Sequence, residues 1–296
     1  MPPLTVDEFK SWVQKQVRMR RGDADFVLQN ASQNAWKLFI DFDDFVIFED
    51  PHLLIINKPP RVNSHYSPRD PAGVEEIAKH KRGTDTLLAH RLDKDTTGVI
   101  VLAKDLVSYW SLRNQFANKS ESEVTKRYLT LLDGELNARG RRGVIEATPA
   151  ISRSETERMR IVPEEELRER TSPFCPMSSL SYFRPLVVFS NGEGHTRTFT
   201  EVQIVTGRTH QIRVTAADFL HHPIIGDRMY NPNPSGASRP LLHAYELTIQ
   251  HPINKNIMTF MAPLPEDFQT ILTGINWEQY LTSLSNNPVA NSLSTR

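Results

Sequence analysis

A single cysteine, Cys175, stands in 296 residues, so there is no disulfide framework and no thiolate metal cage, and the usage fits a reducing compartment. No apolar run approaches the roughly 20 residues that a membrane-spanning helix needs. The first ten residues carry Pro2, Pro3, Asp7 and Glu8, without the basic-then-apolar order of an export signal. Neither sign of charge is in excess: 35 Lys and Arg face 35 Asp and Glu, so a polyanionic partner has to be met by local basic charge. Phosphate-loop, Gly-x-Gly-x-x-Gly and Gly-x-Ser-x-Gly patterns are missing, which gives no reason to expect a nucleotide cofactor or a serine-hydrolase elbow. His221, His222 and His243 lack metal-ligand spacing and have no companion Cys or Glu pattern, so no metal is expected. Internal repeats and low-complexity tracts are absent. What remains is 39% apolar and 24% charged, the profile of a folded chain with a substantial core, large enough for one large domain or two small ones.

Residues 1 to 44 read as an extension. Val6 to Val17 has Phe9, Trp12, Val13 and Val17 at helical offsets, and Arg18, Arg20 and Arg21 follow as a basic cluster. From Phe45 the pattern changes to short apolar runs separated by turns, at Phe45–Phe48, Leu53–Ile56 and Val99–Ala103. Asp105 caps an expected helix with Leu106, Tyr109, Trp110, Phe116 and Ala117 on its apolar side. Arg127–Asp133 alternates as a strand, and Phe183–Phe189 with Phe199–Val205 form a hairpin around Asn191-Gly192. Between them, Ile151–Pro176 is charged and rich in Ser, Pro and Glu, and reads as a long mobile excursion. A helix is expected from His210, further strands at Leu241–Ile249 and Ile257–Met261, and short helices at Pro265–Leu272 and Glu278–Leu284. Strands in close succession with few helices between them predict an α+β fold on a mixed, largely antiparallel sheet. The expected division is an extension over 1–44, a catalytic domain over 45–285 and a flexible tail over 286–296.

Three clusters carry chemistry. In His90-Arg91-Leu92-Asp93-Lys94-Asp95-Thr96-Thr97-Gly98, an Asp beside a buried strand serves as a nucleophile or a base, or the segment is an Asx-type turn with surface charges. In Thr206-Gly207-Arg208-Thr209-His210-Gln211-Ile212-Arg213, a helix start with Arg208 suits a phosphate and Arg213 suits a carboxylate, or Thr209 is an ordinary cap with exposed arginines nearby. In Lys126-Arg127-Tyr128, the Tyr stacks on a base beside two cations, or it is half-buried strand packing.

Taken together along the chain, these segments resemble the RluA-type family of RNA pseudouridine synthases. His90–Gly98 with Ala103-Lys104 is similar to that family's catalytic-Asp signature, and Thr206–Arg213 to its second signature. Asn57-Lys58-Pro59 resembles the opening motif and Lys126-Arg127-Tyr128 the active-site Tyr motif. His222-Pro223-Ile224, Gly226-Asp227 and Tyr230 follow at the family spacing, and Leu242-His243-Ala244 through Asp267-Phe268 resembles the closing segment. The likeness runs from about residue 45 to about 270. The chain departs from the pattern at Arg61 and His221, where Gly is usual, at Thr97, where Ser is common, and at Thr215, where His is usual. The N-terminal segment does not match the S4-type RNA-binding module that some relatives carry.

The resemblance implies a pseudouridine synthase-like fold with a catalytic cleft across the sheet, and isomerisation of specific uridines in structured ribosomal or transfer RNA. It implies Asp93, Tyr128 and Arg213 as the catalytic set, with Asp93 as nucleophile or base, Arg213 as its cationic partner and Tyr128 stacked on the uracil. It implies Arg91, Arg208, Thr209, His210, Gln211 and Lys126 as RNA-binding residues. The target nucleotide has to be flipped out of any helix to expose its glycosidic bond. RNA is the expected partner, with no cofactor, no membrane, a cytoplasmic location and a monomeric state. Two rivals are a non-catalytic RNA-binding or RNA-folding factor on the same scaffold and an enzyme that cleaves N-glycosidic bonds.

Overall fold

A computed structural model describes residues 6–19, 33–67, 72–83, 85–117, 123–138, 143–156, 158–169 and 175–286. Arg20, Arg21, most of the 139–143 turn and the tail beyond Asn286 lie outside the described residues. In chain order come α1 (Val6–Met19), α2 (Gln33–Ile40), β1 (Val46–Glu49), β2 (Leu53–Lys58), α3 (Val74–Arg82), β3 (Leu87–Leu88), β4 (Thr97–Ala103) and α4 (Leu106–Ala117). Then come β5 (Thr125–Asp133), β6 (Ile145–Ala147), β7 (Ala150–Arg153), β8 (Met159–Ile161), α5 (Glu164–Glu169), β9 (Met177–Ser178), β10 (Ser181–Ser190) and β11 (Thr196–Ile204). The chain closes with α6 (Gln211–Val214), β12 (Leu242–Gln250), β13 (Ile257–Met261), α7 (Glu266–Ile271) and α8 (Glu278–Asn286). The fold is α+β with predominantly antiparallel sheet, as the spacing of apolar runs predicts. Two compact units emerge, one of Met1–Val124 with Ala244–Pro263, the other of Thr125–His243 with Leu264–Arg296.

In the first unit the strand order is β1-β2-β4-β12, with β13 paired to β12 and β3 to β4. Leu53, Ile55, Val99, Val101, Leu247 and Ile249 are buried in one cluster with Leu112 of α4. Each such side chain contributes about 1.5–3 kcal/mol on leaving water. Gly98 has φ +107°, and a Cβ there would lie 2.1 Å from the Ala244 carbonyl oxygen. Only glycine lets β4 approach β12 at that point. In α1 and α2, Trp12 and Phe39 are buried, their rings 5.0 Å apart, and Phe39 stacks on His80 of α3 at 5.1 Å. The residues before position 45 thus pack on α3, an element that apolar periodicity alone did not reveal.

The α4 helix starts as expected: Asp105 Oδ1 accepts the Ser108 N–H at 2.8 Å. Its apolar side is met in part: Tyr109 and Phe116 pack on the core as expected. Leu106 and Trp110 are 62% and 61% exposed, while Ser108 and Leu112 are buried. A near-uniform distribution of apolar residues around the helix left its buried face only partly determined.

In the second unit the order is β5-β11-β10-β6. Tyr128 pairs with Val202 across β5 and β11, and Arg184 with Glu201 across β10 and β11. The β10 register shifts between Pro185 and Val187, because proline lacks the N–H that a regular ladder requires. Within the stretch from 151 to 176, the described residues 151–156 and 158–169 are more ordered than its composition predicts. Strands β8, β7 and β9 form a separate three-stranded sheet, and Ile151 and Met159 bury against Val214 and Tyr230. Ile161 packs on the same cluster, so a few apolar residues in a charged stretch dock it. No helix among the described residues is long and apolar enough to cross a membrane.

Candidate active site

Asp93 lies on the loop between β3 and β4, in the first unit, and is half-buried. Two side chains grip this loop on either side of it. Ser64 Oγ donates to the Leu92 carbonyl at 2.6 Å and accepts the Leu92 N–H at 2.9 Å. Lys58 is fully buried at the end of β2, opposite Gly98. Its ammonium donates to the carbonyls of Pro59 at 2.9 Å, Val62 at 2.8 Å and Lys94 at 2.8 Å. A buried ammonium is tolerated only with its protons hydrogen-bonded, and three carbonyls provide that here. The Thr96 N–H closes the turn on the Asp93 carbonyl at 3.2 Å. Thr96 and Thr97 are buried and shape the loop, while Arg91 is exposed.

Tyr128 and Arg213 fall in the second unit. Tyr128 is 8% exposed on β5, so its ring is largely enclosed. On the neighbouring positions Arg127 and Arg184 flank the buried Glu201 at 3.7 and 3.5 Å. Arg213 sits in α6, with Nε 2.7 Å from Asp227 Oδ2 and Nη2 2.8 Å from Oδ1. Asp227 is fully buried and its Oδ1 also accepts the Met229 N–H at 3.1 Å. Such a bidentate pair fixes the plane and direction of the guanidinium. The Arg213 guanidinium also lies 5.1 Å from the Tyr230 ring centroid, and Arg158 lies 4.7 Å from the same ring. The Tyr230 oxygen accepts the Met159 N–H at 2.9 Å and shares a hydrogen bond of 2.9 Å with His210 Nδ1. Burial above all pushes the Tyr230 phenol up to about 12, so it stays protonated.

The second signature folds differently from a phosphate-ready helix start. Its α-helix has only four residues before a π-turn at Thr215–Phe219, and its cap is His210 at φ 52° rather than Thr209. The Arg208 N–H donates to Gln211 Oε1 at 2.9 Å, so that amide is satisfied within the loop. Gln211 is 3% exposed; its Oε1 also accepts the Thr206 hydroxyl, and its Nε2 donates to the Leu180 carbonyl and Ser181 Oγ. The structure therefore uses Gln211 to brace the loop against β10. Thr209 is exposed, and Arg208 Nε donates to the Ser178 carbonyl at 3.1 Å. Lys126 Nζ stands beside Gly207, 3.7 Å from where a Cβ would be. Lys58, Ser64, Asp227 and Tyr230 were not among the expected site residues, although Lys58, Asp227 and Tyr230 occur in the motifs that carry the resemblance.

Two of the departures from the family pattern have a common backbone cause. Arg61 has φ 62° and His221 φ 60°, both in the left-handed region where glycine is at ease.

A family model described as RNA pseudouridylate synthase matches residues 52–218. This chain belongs to that family. Among curated relatives, an uncharacterised RNA pseudouridine synthase of Bacillus subtilis, YhcT, is 30% identical over 260 residues, covering 86% of this chain and 79% of that one. A ribosomal large subunit pseudouridine synthase D of Nitrosomonas europaea is 31% identical over 245 residues, covering 78% of this chain and 64% of that one. Among solved structures, human RNA pseudouridylate synthase domain containing 1 matches with a TM-score of 0.63 at 22% identity, over 82% of this chain and 95% of the other, a likeness of fold. As an RNA pseudouridine synthase the protein is an isomerase, and RNA is the substrate expected of its family.

Proposed function

We propose that this pseudouridine synthase isomerises specific uridines in ribosomal RNA, with Asp93 as the reacting carboxylate. The reading rests on one observation above others: the family match spans Asp93, Tyr128 and Arg213, and Asp93 rides on a loop held from both sides by Ser64 and Lys58. A carboxylate that must meet a sugar carbon or its proton needs such a fixed approach, since small misplacements cost large factors in rate. Ribosomal RNA is favoured because relatives from Nitrosomonas europaea, Xylella fastidiosa and Vibrio vulnificus are named for the large ribosomal subunit.

In the reaction the N1–C1′ bond of the uridine breaks, the uracil turns, C5 bonds to C1′, and the C5 proton is lost while N1 takes one up. Asp93 acts as nucleophile at C1′ or as the base that starts elimination. Tyr128 stacks on the uracil, and Arg213 supplies positive charge to the carboxylate chemistry. Lys126, Arg91, Arg208, Thr209 and His210 contact the RNA, and the target uridine is everted to reach the carboxylate. The bonds made and broken balance without oxidant or energy source. The test is pseudouridine mapping of total RNA with and without the gene. One or more ribosomal positions should lose the modification and regain it on complementation. Unchanged ribosomal RNA with altered transfer RNA would reassign the target, and release of free uracil in vitro would replace isomerisation by glycosidic cleavage.

A further inference from the structure

The second unit holds an open pocket of about 680 Å³, in which Pro223 and Tyr230 belong to the family motifs while Arg158, Arg228 and Met229 do not. It lies within the roughly 300–1,000 Å³ typical of small-ligand sites and is roomy for a single nucleotide. Arg158, His221 and Arg228 line it together with Met229, Tyr230 and Pro232. Its one carboxylate, Asp218, is taken by Arg158, whose Nη2 lies 2.9 and 3.2 Å from the two oxygens. That pair is neutral as a unit, so the exposed Arg228 leaves the pocket with net positive charge. Met229 is 40% exposed, which offers an apolar surface to whatever enters. The pocket adjoins the Arg213 region through a shared ring, because Arg158 and Arg213 both lie over Tyr230.

We propose that this pocket receives one nucleotide of the substrate RNA beside the uridine that is isomerised, its phosphate on Arg228 and its base against Met229 and Pro232. One uncommitted cation beside exposed apolar side chains suits a phosphate together with its base. A free nucleotide cofactor would ask for several phosphate-binding groups, and the pocket presents one cation not already in an ion pair. The inference rests on the RNA substrate argued above.

The probe is a fluorescein-labelled single-stranded oligouridylate, with affinity read by anisotropy over a range of salt concentrations. Arg228→Gln and Met229→Ala alter exposed side chains outside the catalytic set, and thermal midpoints check that the fold is intact. Arg228→Gln should weaken binding about fivefold and make the log–log salt slope shallower by about 0.7, one phosphate contact fewer on a single strand. Met229→Ala should weaken binding about fivefold with the slope unchanged, because stacking releases no counterions. Wild-type affinity and slope in both variants would overturn the proposal, as would a wild type that does not bind the oligouridylate. Pseudouridine formation measured in parallel on ribosomal RNA separates the two readings. Shifts in the variants from a wild type that forms no pseudouridine would support the pocket while refuting the reaction. An active wild type with unshifted variants would refute the pocket alone.

Discussion

Arg213 and Asp227 form a pair in which neither charge has an inexpensive alternative. Asp227 is fully buried and Arg213 is 9% exposed. Asp227→Asn would leave the guanidinium facing a neutral amide; breaking such a pair costs about 3 kcal/mol. The expected outcome is a lowered denaturant midpoint together with a fall in kcat that exceeds any rise in KM. Asp93→Asn keeps the shape of its side chain and removes the charge, so the fold and RNA affinity should stay near wild type while turnover on saturating RNA vanishes. Wild-type pseudouridine formation by that variant would end the assignment. Arg61 and His221 invite the opposite kind of change. A non-glycine residue in the left-handed region costs about 1–2 kcal/mol, and glycine gives back roughly 0.5–1 kcal/mol in the unfolded chain. Arg61→Gly and His221→Gly should each stabilise the protein by about 0.5–1 kcal/mol in urea titration. Asp93, Tyr128 and Arg213 could be put forward from the sequence because their motifs are dense. Ser64 was not, since a lone serine gives no sign that its hydroxyl will meet the Leu92 backbone.

Among the elements, the β7–β9 sheet differs most from its appearance in the sequence. Its stretch is polar and charged, yet the Met159 N–H is satisfied by the Tyr230 oxygen and Arg158 stacks on the Tyr230 ring. Tyr230→Phe keeps the ring and removes the acceptor. It should raise the hydrogen-exchange rate of the Met159 amide and destabilise this sheet by about 1 kcal/mol, an unmade buried hydrogen bond. Unchanged exchange at Met159 would mean that the strand ladder alone protects it. The strands were legible because apolar runs such as Val99–Ala103 and alternation such as Arg127–Asp133 are strong signals. Which face of α4 is buried was not, because Leu106, Tyr109, Trp110 and Leu112 surround the helix and the sheet selects among them. The second signature was read as a helix start, but Gln211 turns inward and His210 takes the cap. The inward turn of Gln211 depends on Leu180 and Ser181 at the start of β10, 31 and 30 residues away in the chain.

At the scale of the whole molecule, a network of carboxylates and cations ties sequence-distant segments of the first unit. Asp50 accepts the N–H groups of His52 and Leu53 and the Nε2 proton of His251, 201 residues later. Burial opposes ionisation of Glu49, Asp50 and Asp105, but hydrogen bonds and nearby charge outweigh it and hold all three below their usual range. Their folded values thus lie below the ordinary 4.5 and 3.8, so their stabilisation is complete above about pH 5 and is lost as pH falls through the depressed folded values. The urea midpoint should be flat from about pH 7 to 5 and drop below about pH 4. Asp50→Asn should drop less steeply, and an identical profile would remove Asp50 from the network. The amino-acid sequence by itself determined the fold class and the reaction class, and it put Asp93 forward as the carboxylate to test. Each of these rests on local periodicity or on residues adjacent in the chain. Only the tertiary structure decided what holds those residues: Lys58 and Ser64 on the Asp93 loop, Asp227 and Tyr230 on Arg213, and the docking of α1 and α2 on His80. Hydrogen bonds and burial between segments far apart in the chain depend on strand register and packing, which no local pattern encodes.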